Sequence, residues 1–123
     1  MRTVLIVEDS ETCAETLQIA LDSIPGLKTI VLASPGAALT ALHKHGDDIV
    51  AVITDLHLPL HDGLELIRQL RADTRFRNLP VLLISGDSDP QLAHRALARG
   101  ADAFFSKPYS PAAVRRKLEQ LIC

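Results

Sequence analysis

The fold class this chain predicts is a doubly wound α/β sandwich, (βα)5, with a five-stranded parallel sheet in the order 2-1-3-4-5 between two helical layers. Three observations carry the prediction. Short continuous apolar runs alternate with helical faces along all 123 residues. Apolar residues make up 47% of the chain and aromatics only 3%, so Leu, Ile, Val and Ala must do the packing, which suits layered α/β structure better than a barrel. Four of the runs end in a residue with chemistry to offer: Glu8 and Asp9, Asp55, Ser85, and Lys107. In an open parallel sheet such strand ends meet in the crevice where the strand order reverses.

Each element has its own signal. Thr3–Val7 is a β-branched buried run and reads as β1. Ala14, Leu17, Leu21 and Ile24 recur at three- and four-residue spacing, so Ser10–Ser23 reads as α1, stopped by Pro25-Gly26. Lys28–Ala33 is β2, more polar at its start and therefore an edge strand. Ser34-Pro35 caps and opens α2, which runs to about Lys44. Ile49–Thr54 is β3, followed by a loop holding Pro59 and Gly63. Leu64, Ile67 and Leu70 then mark α3 over Leu64–Arg71. Pro80–Ser85 is β4. Asp89-Pro90 opens α4, with Gly100 as its C-cap glycine. Ala103–Ser106 is β5, and Ser110-Pro111 starts α5, with Val114, Leu118 and Leu121 turned inward. Parallel strands joined by such crossovers carry helices on both faces.

Composition excludes several classes. Net charge is −2, from 13 basic and 15 acidic residues, which offers no electrostatic attraction to nucleic acid or an anionic membrane. Cys13 and Cys123 lack metal-ligand spacing and read as reduced thiols. The longest apolar run is too short to span a bilayer, and Met1-Arg2 leads straight into a strand without a signal-peptide pattern. A cytoplasmic protein is expected. Leu118–Ile122 runs to the end of the sequence, so no output domain is expected within it.

The strand ends would bring an acidic pair, a lone carboxylate, a hydroxyl and an ammonium into one shallow cleft. That set suits a carboxylate that holds Mg²⁺ and accepts a phosphoryl group. Taken singly, each residue has a plainer reading. Asp9 could cap α1, and Lys107 could be a solvated charge. Asp55 is harder to dismiss, because Pro59 blocks an immediate helix for it to cap. The constellation carries the argument.

The matching segments are V-L-I-V-E-D at Val4–Asp9, D-L-H-L-P-L-H-D-G at Asp55–Gly63, V-L-L-I-S-G at Val81–Gly86 and A-F-F-S-K-P at Ala103–Pro108. With these, residues 1–123 resemble the receiver domain of two-component response regulators, a flavodoxin-like fold. The resemblance implies that Asp55 is the phosphoacceptor. Asp9 would bind Mg²⁺ directly and Glu8 through water, with Asp55 and the His57 backbone carbonyl adding ligands and Mn²⁺ as a substitute. Lys107 would pair with the phosphoryl oxygens. Ser85 and Phe104 would form the switch that changes the α4–β5–α5 face for partner binding, while His57 and Asp87 would tune dephosphorylation. Lys107-Pro108 resembles the family's cis X-Pro turn. Thr12, Cys13, Thr16, Pro108 and Tyr109 would dock the phosphohistidine donor, a histidine kinase or phosphotransfer protein.

The implied function is a phosphorelay signalling switch acting on a separate downstream protein, as a monomer or a phosphorylation-dependent homodimer. It is not a turnover enzyme. Met1 favours a free-standing protein over a domain cut from a hybrid kinase or a longer regulator. An aspartyl phosphatase would want an acid two residues after its nucleophile, where this chain has His57. A flavin module would want a phosphate loop after β1, where Glu8 and Asp9 would repel the phosphate. His57 and His61 are separated by Pro59 and offer too few ligands for a transition-metal site. The basic run Arg115, Arg116 and Lys117 reads as a solvated face, or as a partner contact on the output side.

Overall fold

A computed structural model describes residues 2–58, 61–87 and 89–122, with the backbone alone at His57, Leu58, His61 and Asp62. Five strands, β1 (Arg2–Val7), β2 (Leu27–Leu32), β3 (Ile49–Asp55), β4 (Val81–Ser85) and β5 (Ala103–Ser106), form one parallel sheet. Its order is β2-β1-β3-β4-β5, which places β2 at an edge as its polarity predicts. The connecting helices are α1 (Glu11–Asp22), α2 (Pro35–His45), α3 (Gly63–Ala72), α4 (Pro90–Ala98) and α5 (Pro111–Ile122). Among the described residues, no helix is long and apolar enough to cross a membrane.

Strand alternation divides the interior into two apolar layers. Leu5, Val7, Val52, Val81 and Leu83 face α2, α3 and α4, where Leu42, Leu66, Ile67, Leu70 and Leu92 cover them. Val4, Ile6, Ile53, Leu82 and Ile84 face α1 and α5, meeting Leu17, Leu21, Val114 and Leu118. The three central strands are therefore buried on both faces, which is why they read as continuous apolar runs rather than alternating ones.

The ends of the elements differ from the sequence reading by a residue or so, for local reasons. Ser10 and Ser23 are the caps of α1 rather than its first and last turns, and Ser10 Oγ accepts from the Cys13 N–H. Ser34, Asp89 and Ser110 cap α2, α4 and α5 in the same way, accepting from Ala37, Gln91 and Ala113. Strand β3 extends one residue further, to Asp55, because Asp55 still pairs with Ile84. The segment read as a plain loop after Asp55 contains a short antiparallel pairing of His57–Leu58 with His61–Asp62. Pro59, Cys123 and the side chains of His57 and His61 lie outside the described residues.

Arg71 closes the side of the molecule away from the strand C-termini. Its Nε and Nη2 donate to the Gly100 carbonyl at 3.1 and 2.8 Å. Nη1 donates to the Phe76 and Leu79 carbonyls at 3.1 and 2.8 Å. Nη2 also reaches the Asp102 carboxylate at 3.2 Å, and that carboxylate accepts from the Val81 N–H at 2.8 Å. Gly100 takes a φ of +112° at the end of α4, a conformation that favours glycine. A Cβ there would also sit 3.0 Å from the Arg71 side chain.

Candidate functional site

The acidic end of the crevice is built by three strands. Glu8 follows the last residue of β1, Asp55 is the last residue of β3, and Lys107 follows the last residue of β5. Lys107 Nζ lies 2.7 Å from Asp55 Oδ2 and 3.5 Å from Glu8 Oε2. The Lys107 N–H donates to the Ser85 carbonyl at 2.7 Å, which ties the start of the β5–α5 turn to the end of β4. The Lys107–Pro108 peptide is cis.

Glu8 and Asp55 are buried, whereas Asp9 is exposed. Carboxylate oxygens of Glu8, Asp9 and Asp55 all lie within 4.8 Å of one another. Asp9 is not consumed as a helix cap, because Ser10 takes that role. Glu8 Oε1 accepts from the Ser10 N–H at 3.1 Å. Burial pushes the Glu8 carboxyl above its ordinary range, and the Asp55 charge adds to the shift against the opposing Ser10 hydrogen bond. Partial burial works against the Lys107 ammonium, yet the Asp55 hydrogen bond and the charges of Asp55 and Glu8 prevail and raise its pKa.

One ammonium only partly offsets three carboxylates, so the cluster favours a bound cation. All-oxygen donors match the preference of Mg²⁺, which keeps several waters and is completed by phosphate oxygens. The residues present fit that ion.

The backbone around Asp55 is held closely. The Leu56 N–H donates to the Ile84 carbonyl at 2.8 Å, and the Gly63 N–H donates to the Leu56 carbonyl at 2.8 Å. A Cβ on Gly63 would fall 2.9 Å from the Asp55 carbonyl oxygen and 3.0 Å from Leu56 Cα, so only glycine allows α3 to begin this close to the strand end. The Thr54 hydroxyl donates to the Asp55 carbonyl oxygen at 3.0 Å.

Across the crevice, Ser85 is fully buried and its Oγ accepts from the Asp87 N–H at 3.0 Å. Asp87 Oδ1 accepts in turn from the Asp89 N–H at 2.9 Å, and Asp89 Oδ1 from the Gln91 N–H at 2.9 Å. Phe104, on β5, is half-buried against the layer under α2, α3 and α4. Thr12, Cys13 and Thr16 on α1 face Lys107, Pro108 and Tyr109 across a groove of about 460 Å³ beside the acidic cluster. Burial, with Cys13 and Glu8 adding to it, pushes the Tyr109 hydroxyl up to about 12.

A family model described as the response regulator receiver domain matches residues 4–119. The chain belongs to the response regulator receiver family. This receiver is 28% identical to the chemotaxis protein CheY1 of Helicobacter pylori over 118 residues, covering 96% of this chain and 94% of that protein. Among solved structures it resembles a putative response regulator from Chloroflexus aurantiacus, with a TM-score of 0.89 and 28% identity over 98% of this chain and 97% of that one. It also resembles the signal receiver domain of a histidine kinase from Syntrophus aciditrophicus, with a TM-score of 0.86 and 32% identity over 99% and 90% of the two chains.

The receiver's fold thus brings Glu8, Asp9, Asp55 and Lys107 together, with Ser85 and Asp87 at the neighbouring strand end. The His57 backbone follows Asp55 in the short paired segment. Two contributors are not among the candidate site residues of the sequence. Thr54 stands out only as a hydroxyl ending a β-branched run. Gly63 is part of the motif, but its role depends on how closely two backbones approach.

Proposed function

We propose that this receiver is a phosphorylation-activated switch that takes a phosphoryl group on Asp55 from a phosphohistidine donor. The observation that carries the reading is the buried Asp55 carboxylate, 2.7 Å from Lys107 Nζ and grouped with Glu8 and Asp9. An Asp55 oxygen attacks phosphorus, the P–N bond to the donor imidazole breaks, and its electron pair leaves with the imidazole nitrogen. An acyl phosphate on Asp55 results.

Glu8, Asp9, Asp55 and the His57 carbonyl would hold Mg²⁺. When bound, the ion neutralises charge between the carboxylates and the phosphoryl oxygens. Lys107 exchanges its ion pair with Asp55 for one with the phosphoryl oxygens. Ser85 Oγ accepts a hydrogen bond from the Asp87 N–H, and its own hydroxyl would donate to a phosphoryl oxygen. Its movement, with Phe104 turning inward, would bias the α4–β5–α5 face between two states. His57 and Asp87, two residues after Asp55 and two after Ser85, would govern water access to the acyl phosphate, as the family resemblance implies. The groove between α1 and Tyr109 would seat the helical domain of the histidine kinase or phosphotransfer protein.

Output would pass to a separate protein, or within a longer kinase or regulator if this chain is part of one, as with the Syntrophus aciditrophicus receiver. Intact mass after incubation with acetyl phosphate tests the chemistry. One phosphoryl group should be gained with Mg²⁺, none without it, and none in Asp55→Asn. A gain that persists in Asp55→Asn, or no gain in wild type with either acetyl phosphate or a phosphohistidine donor, would overturn the reading.

A further inference from the structure

Thr54 places a hydroxyl where the sheet is otherwise apolar. The strand registers align Leu32, Val7, Thr54, Leu83 and Phe104 side by side across all five strands. The other four residues belong to or pack against the apolar layer under α2, α3 and α4. Thr54 itself is fully buried. Valine has nearly the same shape and would fill this place without a polar atom. A hydroxyl removed from water is costly unless it is hydrogen-bonded, and this one donates to the Asp55 carbonyl oxygen at 3.0 Å.

That oxygen belongs to the peptide unit immediately after the phosphoacceptor. The other end of the same unit, the Leu56 N–H, donates to Ile84 on β4. The pairing register of β1 with β3 ends at Val7 and Thr54, one residue short of Asp55. The Thr54 hydroxyl therefore grips the backbone just beyond the point where that register ends. With Gly63 against the same carbonyl oxygen, the peptide unit has little freedom to rotate. The position of Asp55 Cα, and through it of the carboxylate, follows from that restraint.

Resting on the phosphoacceptor reading above, we infer that Thr54 is a positioning residue for phosphoryl transfer, acting through its hydroxyl on the Asp55 backbone. It touches neither the donor nor the reacting oxygens. Its effect is on how well the nucleophile is aimed, and a misplacement of about 1 Å costs on the order of a hundredfold in rate.

The test is the rate of acyl-phosphate formation from acetyl phosphate in wild type, Thr54→Val, Thr54→Ser and Thr54→Ala, alongside hydrogen exchange at the Leu56 amide. At saturating donor and Mg²⁺, Thr54→Val should be slower by about tenfold or more, with the half-saturating donor concentration unchanged, and Thr54→Ser should stay within about twofold of wild type. Leu56 exchange should speed up in Thr54→Val and remain protected in Thr54→Ser. Thr54→Ser and Thr54→Ala both lack the methyl group and differ from each other by the hydroxyl alone, so their ratio carries the same test if Thr54→Val folds poorly. Equal rates in Thr54→Ser and Thr54→Ala, or wild-type rate and Leu56 protection in Thr54→Val, would overturn the positioning role. If wild type gains no phosphoryl group from either acetyl phosphate or a phosphohistidine donor, the phosphoacceptor reading fails, and this inference falls with it.

Discussion

At the scale of single residues, the site is organised by a charge imbalance. Glu8 and Asp55 are buried beside each other with Lys107 between them, and burial favours the protonated form of Glu8. A carboxyl whose folded pKa is raised binds more protons in the folded state than in the unfolded one. Its contribution to stability is full below the ordinary glutamate value of 4.5 and is lost as pH rises through the raised value. A bound cation reverses the preference, because it needs the ionised form. Without a divalent cation, the thermal midpoint of wild type should therefore fall more steeply above pH 4.5 than that of Glu8→Gln. Over the same window, Mg²⁺ affinity measured by titration calorimetry should rise with pH in wild type and change less in the variant. Parallel curves for the two proteins would show that Glu8 does not carry the effect.

At the scale of elements, α4 is held differently at its two ends. Its N-terminal end hangs on a run of short side-chain-to-backbone bonds from Ser85 through Asp87 and Asp89 to Gln91. Its C-terminal end is fixed by Arg71, whose five guanidinium N–H groups all find partners. Arg71→Met should cost roughly 3 kcal/mol in urea unfolding, since it strips a charged donor from several carbonyls at once. Arg71→Lys should recover only part of that loss, because an ammonium cannot reproduce the planar fork. Equal stability of wild type and Arg71→Met would remove the clamp from the account.

None of this clamp was legible in the sequence. Arg71 reads there as the end of an amphipathic helix, while Gly100 and Asp102, two of its partners, lie 29 and 31 residues further on. Caps and apolar periodicity are local, so Ser34, Asp89 and Ser110 could be read directly. The extension of β3 to Asp55, the pairing after it and the grip of Thr54 depend on tertiary contacts and could not. The acidic cluster sits between these cases. Its members run from residue 8 to residue 55, but the rule that parallel strand ends converge was enough to group them.

At the scale of the whole molecule, the two apolar layers would give the proposed switch its lever. Ser85 and Phe104 occupy adjacent strands, and Phe104 packs into the layer that α4 helps to cover. A change at Ser85 can therefore reach the α4–β5–α5 face through packing as well as through the hydrogen-bonded run at the N-terminal end of α4. Ser85→Ala should still accept phosphate, but its phosphate-dependent chemical-shift changes on α4 and β5 should shrink severalfold. Changes as large as those of wild type would place the coupling elsewhere.

The contact between Lys107 and Asp55 also has a consequence for biosynthesis. The two residues are 52 positions apart, and the lysine follows the last strand. A ribosome delivers Glu8, Asp9 and Asp55 well before it delivers their counter-charge. Until β5 docks, the emerging chain holds three acids with no ammonium to complete the site. Completion of the charged cluster and completion of the sheet therefore arrive together, and a prematurely terminated chain lacking β5 would keep the three acids without Lys107.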